Sequence, residues 1–63
     1  MCELKVMIKT NLVFENAIYA AITGNDVVVR DVMGKSKEFK NHTITEVNIA
    51  KEQLILSPRK TKN

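Results

Sequence analysis

Apolar and polar side chains alternate with a period of two along most of this 63-residue chain. Residues 4–8 show the alternation expected of a strand with one buried face. Residues 27–32 are β-branched at four of six positions, which favours an extended backbone. Residues 17–22 are alanine-rich, but this segment is short for a stable helix and runs into a hairpin signal at residues 23–26. The pattern therefore predicts an all-β fold.

The long segment from Ser36 to Ile49 predicts a bent strand. Its apolar residues switch from odd to even positions at Ile44 and back at Val47, and a strand can do this only through a bulge or a bend. Five strands with tight turns near Gly24, Gly34 and residues 51–52 predict a small, bent, antiparallel five-stranded barrel. SH3-like, Sm-like and OB-like barrels all fit this pattern, and the periodicity does not choose among them.

The charge distribution divides the chain into a domain and a tail. Residues 1–56 carry seven basic and seven acidic side chains, so the net charge of +3 comes from Arg59, Lys60 and Lys62. We predict a single domain over residues 1–56 and a basic, disordered tail over residues 57–63. A basic terminus is more typical of a solubilising tail than of a phosphate-binding face.

The small size of the chain predicts a homodimer. A domain of this length buries a marginal core and usually needs a disulfide, a metal or a partner subunit. Only one cysteine, Cys2, is present, so no disulfide can form within the chain. Met7 also places an apolar side chain on the otherwise charged face of the first strand, which indicates a contact with a second copy.

Export and membrane insertion are not expected. The longest apolar run covers residues 17–22, against about 20 residues for a membrane-spanning helix. The first residues, Met-Cys-Glu-Leu-Lys, do not resemble a signal peptide. Together with the unpaired Cys2, these features predict a cytoplasmic protein without a membrane partner.

The residue types present do not favour catalysis. The chain has one histidine, His42, and two serines, and it lacks a phosphate-binding loop and a CxxC motif. Acyl transfer would require a nucleophile, an oriented base and an oxyanion hole. We therefore predict that the protein is not an enzyme. RNA binding is an alternative, but it requires exposed aromatic rings. We expect Phe14, Tyr19 and Phe39 to be structural in so small a core.

The most distinctive residue is Cys2. If Met1 is removed, the amine and the thiol of Cys2 can close a five-membered chelate ring, and the next amide nitrogen can add a third donor. Such a planar N/S set favours Ni(II) or Cu(II). The competing interpretation is that Cys2, which shares its parity with Leu4, is a small apolar residue capping the core. His42 is the next metal-ligand candidate, although a histidine filling a bulge is the simpler interpretation.

The order of these features resembles the CooT family of small nickel-binding proteins, which are also catalogued as predicted RNA-binding proteins. The resemblance rests on the opening Met1-Cys2-Glu3 and on the valine-rich strand that leads through Asp31 to Gly34. It is completed by an Ile-Thr-Glu-Val-Asn-Ile segment at residues 44–49 and by the final apolar strand at residues 54–56. Residues 9–12 depart from the acidic, Gly-containing turn that many members have there.

The resemblance implies a homodimer of Sm-like or SH3-like barrels that binds Ni(II) through Cys2. It also implies a client metalloenzyme, since founding members deliver nickel to carbon monoxide dehydrogenase. Only Cys2 carries over as a metal ligand. RNA binding by an Sm-like barrel remains the alternative function.

Overall fold

A computed structural model describes residues 3–60, and over this range the chain is built of strands and turns without a helix. The strands are β1 (Leu4–Ile8), β2 (Asn11–Thr23), β3 (Asp26–Asp31), β4 (Ser36–Phe39), β5 (His42–Asn48) and β6 (Gln53–Pro58). They form one sheet in the order β4-β3-β2-β1-β6-β5. The all-β fold class is thereby confirmed. Within residues 3–60 no helix is long and apolar enough to cross a membrane.

The six strands replace the five expected from the sequence because the predicted bent strand is interrupted. β4 ends at Phe39, and Lys40 and Asn41 form a turn before β5 begins at His42. Asn41 adopts a left-handed backbone conformation with φ 62°, which ends the extended run. The bulge predicted near Ile44 is confirmed, because the β5–β6 register shifts between Ile44 and Glu46.

One pairing departs from an antiparallel arrangement. β1 pairs with β6 in parallel, with Lys5 opposite Gln53 and Ile8 opposite Leu56. All other neighbouring strands are antiparallel. From these directions, β4 and β5 both run opposite to β1. The chain therefore passes from edge strand β4 to edge strand β5 without reversing its direction. Because β6 is antiparallel to β5, it runs parallel to β1.

The sheet is curled but not closed. Its two edge strands, β4 and β5, are joined by only two residues, which span at most about 11 Å between the α-carbons of Phe39 and His42. The edges must therefore meet at this corner. Because β5 begins where β4 ends, the two strands lie end to end rather than side by side, and no ladder of hydrogen bonds joins them among residues 3–60.

The curled sheet encloses a small aliphatic core. No polar side chain is buried in the part of the chain that the structure describes. Buried positions alternate along β3 and β6, as expected of strands with one face on the core, so the concave face is apolar. The buried residues are Val6, Ala17, Val27, Val29, Phe39, Leu54 and Leu56.

β6 extends beyond the boundary predicted for the domain. Ser57 and Pro58 belong to this strand, and the Arg59 backbone N–H donates a hydrogen bond to the Asn41 carbonyl oxygen at 2.8 Å. Hydrogen-bonded order thus reaches three residues past Leu56. Lys62, the last basic residue of the predicted tail, lies outside the described residues.

Candidate functional site

Cys2 lies outside the described residues, but the structure shows how the chain that follows it enters the fold. Glu3 is exposed, and Leu4 begins β1 and packs against the core. β1 lies in the middle of the sheet, between β2 and β6. The Lys5 backbone N–H donates to the Glu52 carbonyl oxygen at 2.8 Å, tying β1 to the β5–β6 turn from its second residue. The chain is therefore firmly held from two or three residues after Cys2.

Exposed apolar side chains lie around the point where β1 begins, which we call the entry end of the sheet. Leu4 lies opposite Ala17, and Ala17 lies opposite Asp31 at the end of β3. The next residues along these two strands, Ile18 and Val32, are 48% and 41% exposed. On the other side of β1, Ile49 follows β5 and is also exposed. The entry end thus offers an apolar surface beside the start of β1.

The described residues do not contain a preformed metal-binding cluster. Within residues 3–60 no three side chains of His, Cys, Asp or Glu are grouped so that they could hold a metal ion. Glu3 and Glu52 place carboxylates near the entry end, and both are exposed.

His42 is well oriented but lies far from the entry end. Its Nδ1 donates to the Lys40 carbonyl oxygen at 2.8 Å, and its ring meets the Phe39 ring edge-on at 6.2 Å between centroids. His42 lies opposite Pro58, at the end of β6, whereas Lys5 lies opposite Gln53, at its beginning. Five residues of strand separate these positions, about 16 Å. One chain therefore does not bring His42 to the start of β1.

The expectation that His42 fills a bulge is wrong. His42 is the first residue of β5, directly after the turn at residues 40–41, and the bulge lies further along the strand, between Ile44 and Glu46. Its bond to Lys40 closes the turn instead. The position of the bulge was readable from the apolar pattern, but the turn was not, because polar residues 40–43 carry no parity signal.

Of the three aromatic residues, two are structural as expected. Phe39 is buried, and Phe14 packs against the core. Tyr19 is 47% exposed, and the Arg30 guanidinium carbon lies 4.9 Å from its ring centroid. The expectation that Tyr19 is a core residue is therefore wrong. A register shift between Ala17 and Tyr19 turns its ring to the outer face, and the apolar run of residues 17–22 gave no sign of it.

A family comparison bears on these sites. A family model described as "CO dehydrogenase accessory protein CooT" matches residues 1–57. The match begins at Met1-Cys2 and ends within β6, so it includes the entry end and nearly all of the sheet. The resemblance inferred from the sequence is thereby confirmed. The family's description is that of an accessory protein rather than a catalyst, which is consistent with the prediction of a non-enzyme. A search of curated proteins gives no match.

Proposed function

Because the chain belongs to the CooT family of CO dehydrogenase accessory proteins, we propose that it binds Ni(II) through Cys2 and delivers this ion to a carbon monoxide dehydrogenase. The observation that carries the proposal is the extent of the family match, which includes the Met-Cys start of the chain. An accessory protein of a nickel enzyme needs a ligand that suits nickel, and Cys2 provides the only thiol in the sequence.

The chemistry of Cys2 fits Ni(II) as a cargo. Thiolate sulfur and imidazole or amine nitrogen are good ligands for this ion, and a planar N/S donor set matches its square-planar preference. Removal of Met1 would give Cys2 both an amine and a thiol. A site at the start of the chain, next to a firmly held β1, can exchange its ion with a client more readily than a buried site can.

One thiolate per chain leaves the coordination sphere incomplete, so we propose that two chains share the ion. Two copies of Cys2 related by a twofold axis supply two thiolates and two nitrogens, which is a complete set of four donors. The exposed Ile18, Val32 and Ile49 at the entry end support this arrangement, since an apolar contact there would place the two chain starts together. A cytoplasmic setting would keep both thiols reduced.

The test is a Ni(II) titration of the reduced protein with its native N-terminus, followed by absorption spectroscopy. We expect thiolate-to-nickel charge-transfer bands that saturate at one ion per two chains. Cys2→Ser replaces a soft sulfur by a hard hydroxyl of similar size, so it should abolish the bands while the far-UV spectrum stays unchanged. His42→Gln is the matched control, and it should bind nickel as tightly as the parent because His42, in β5, lies opposite Pro58, at the end of β6 away from the start of β1.

The pH dependence provides a second readout of the same site. Because a cysteine must lose its proton to bind a metal, the nickel affinity should fall as the pH is lowered below neutral, by about tenfold per unit for each proton released. Nickel bound equally tightly by Cys2→Ser would overturn the proposal and point to His42. Cys2→Ser that fails to fold would instead support the interpretation of Cys2 as a core cap.

A further inference from the structure

A surface groove with a polar lining lies at the opposite end of β6 from the start of β1. A groove of about 530 Å³ is formed where the end of β6 meets the β2–β3 turn and the turn between β4 and β5. We call it the polar groove. It is lined by Asn25, Asn41, Thr43, Thr45, Ser57, Pro58, Arg59 and Lys60. Its volume lies within the range of small-molecule binding sites.

Arg59 is held in the polar groove by two turns. Its backbone N–H donates to the Asn41 carbonyl oxygen at 2.8 Å, and its Nε donates to the Asn25 carbonyl oxygen at 3.2 Å. The Nε bond fixes the plane of the guanidinium. Within residues 3–60 neither Nη atom is hydrogen-bonded, and these two amino groups are the donors that the guanidinium would offer to a ligand. A guanidinium oriented in this way can bind two oxygens of one oxyanion.

Hydroxyl groups form a second row of donors along the polar groove. Thr43 lies opposite Ser57 across the β5–β6 ladder. The Thr45 hydroxyl donates to the Ile55 carbonyl oxygen at 3.2 Å and lies 3.4 Å from the Ser57 hydroxyl. Since the Thr45 proton is used in this way, Ser57 Oγ is the donor in the 3.4 Å contact with Thr45 Oγ1, and this long bond can be exchanged for one to a ligand oxygen. The bulge between Ile44 and Glu46 creates this arrangement by shifting Thr45 out of the regular ladder.

The charge of the polar groove favours an anion. Arg59 and Lys60 contribute two positive charges, and no carboxylate is among the residues that line it. Two acids follow lining residues along the chain, Asp26 after Asn25 and Glu46 after Thr45. The Asp26 carboxylate accepts a hydrogen bond from the Asn41 backbone N–H at 2.9 Å. This bond braces the turn that carries the lining residue Asn41.

We propose that the polar groove binds a phosphate group. An oriented arginine, a neighbouring lysine and adjacent hydroxyls are the donors that recognise phosphate oxygens. The phosphate could belong to a free nucleotide or to the backbone of single-stranded RNA, which present the same group. About 16 Å of β6 separates the polar groove from the row of Lys5 in β1, so the site differs from the nickel site proposed near the start of that strand.

The first experiment is an NMR titration of the full chain with inorganic phosphate at constant ionic strength, with chloride as the exchanged anion. We expect saturable shifts of the Thr43, Ser57 and Arg59 amides. Arg59→Gln should weaken phosphate binding about tenfold or more, as loss of a charged bidentate partner implies. Arg30→Gln is the matched control, since it removes the same charge from the other end of β3 and should leave the affinity unchanged.

Two further variants keep the test decisive. Lys60→Gln and Ser57→Ala leave the Arg59 tethers intact and should each weaken binding, so a folding failure of Arg59→Gln would not end the test. Arg59→Lys retains the charge but loses the planar fork, and it should bind phosphate less tightly than the parent. Equal shifts in the parent, Arg59→Gln and Lys60→Gln would overturn the proposal.

The source of the phosphate is resolved by comparing a mononucleotide with a single-stranded RNA oligonucleotide. Tighter binding of the oligonucleotide, with an affinity that falls steeply with salt, would identify a nucleic-acid backbone. Equal affinity for the two probes would identify a single phosphate group. Cys2→Ser should bind either probe like the parent, so failure of the nickel proposal and failure of this one are distinguishable.

Discussion

At the scale of single residues, burial separates side chains of the same type. Leu56 is fully buried in the core, whereas Leu12 lies on the outer face and is 46% exposed. The two leucines differ little in their sequence surroundings, since each lies in a run of three apolar residues, 12–14 and 54–56. With only seven buried residues among residues 3–60, the core has little redundancy, and each large aliphatic side chain matters.

Leu56→Ala should destabilise the protein by about 2–5 kcal/mol, because it removes buried methyl groups and leaves a cavity. For so small a domain this is most of the free energy of unfolding. Leu12→Ala should cost less than about 1 kcal/mol. Urea unfolding followed by far-UV circular dichroism measures both, and similar midpoints for the two variants would contradict this account of the core.

At the scale of elements, irregularities in β2 give the sheet its curvature. β2 has 13 residues, and its register shifts against β1 between the rows of Leu4 and Val6 and against β3 between Ala17 and Tyr19. Asn16, inside β2, has φ 61°. Bulges increase the local twist and bend a strand. β2 can therefore pair with β1 through its first half and with β3 through its second half, while the sheet curves around the core.

Asn16 is the position at which this bend can be tested. Asn16→Gly should be neutral or slightly stabilising, because glycine adopts positive φ without strain. Asn16→Val should cost about 1–2 kcal/mol, since a β-branched residue is disfavoured there. Glu15→Val, one residue earlier on the same strand, should change stability by less than about 0.5 kcal/mol. Thermal unfolding of the three variants checks this order, and equal costs for both valines would contradict it.

At the scale of the whole molecule, the sheet separates two surfaces with different chemistry. The entry end carries exposed apolar side chains and adjoins the start of the chain, while the polar groove at the far end collects cations and hydroxyls. The described residues extend over 41 × 22 × 15 Å, so an elongated molecule keeps these surfaces apart. One end can therefore serve a second copy of the chain while the other remains accessible.

The proposed homodimer makes a matched prediction for two isoleucines of β2. Ile18 and Ile22 are 48% and 50% exposed, but only Ile18 lies at the entry end. Ile18→Lys should weaken dimerisation at least about tenfold, because it places a charge in an apolar contact. Ile22→Lys should leave it unchanged. Sedimentation at micromolar concentration reads out both, and a monomeric parent, with and without Ni(II), would refute the dimer.

Several elements could be predicted from local pattern, and others could not. The strands at residues 4–8 and 27–31, the turn at Gly24 and the bulge near Ile44 were all readable from alternation and turn residues. The parallel pairing of β1 with β6 was not, because residues that meet across it are nearly 50 positions apart. The exposure of Tyr19 was also hidden, since it depends on the register between strands.

For the candidate sites, the sequence alone singled out Cys2, because it carries the one thiol of the sequence and thiolate is a ligand suited to nickel. It also determined the all-β class, since alternation dictates which side chains can share a buried face. Only the tertiary structure decided that Arg59 belongs to a groove rather than to a tail. Its partners Asn25 and Asn41 lie 34 and 18 residues away, and they reach it because the two edges of the sheet meet at one corner. Local pattern determines strands, whereas curvature and register determine which strand ends become neighbours.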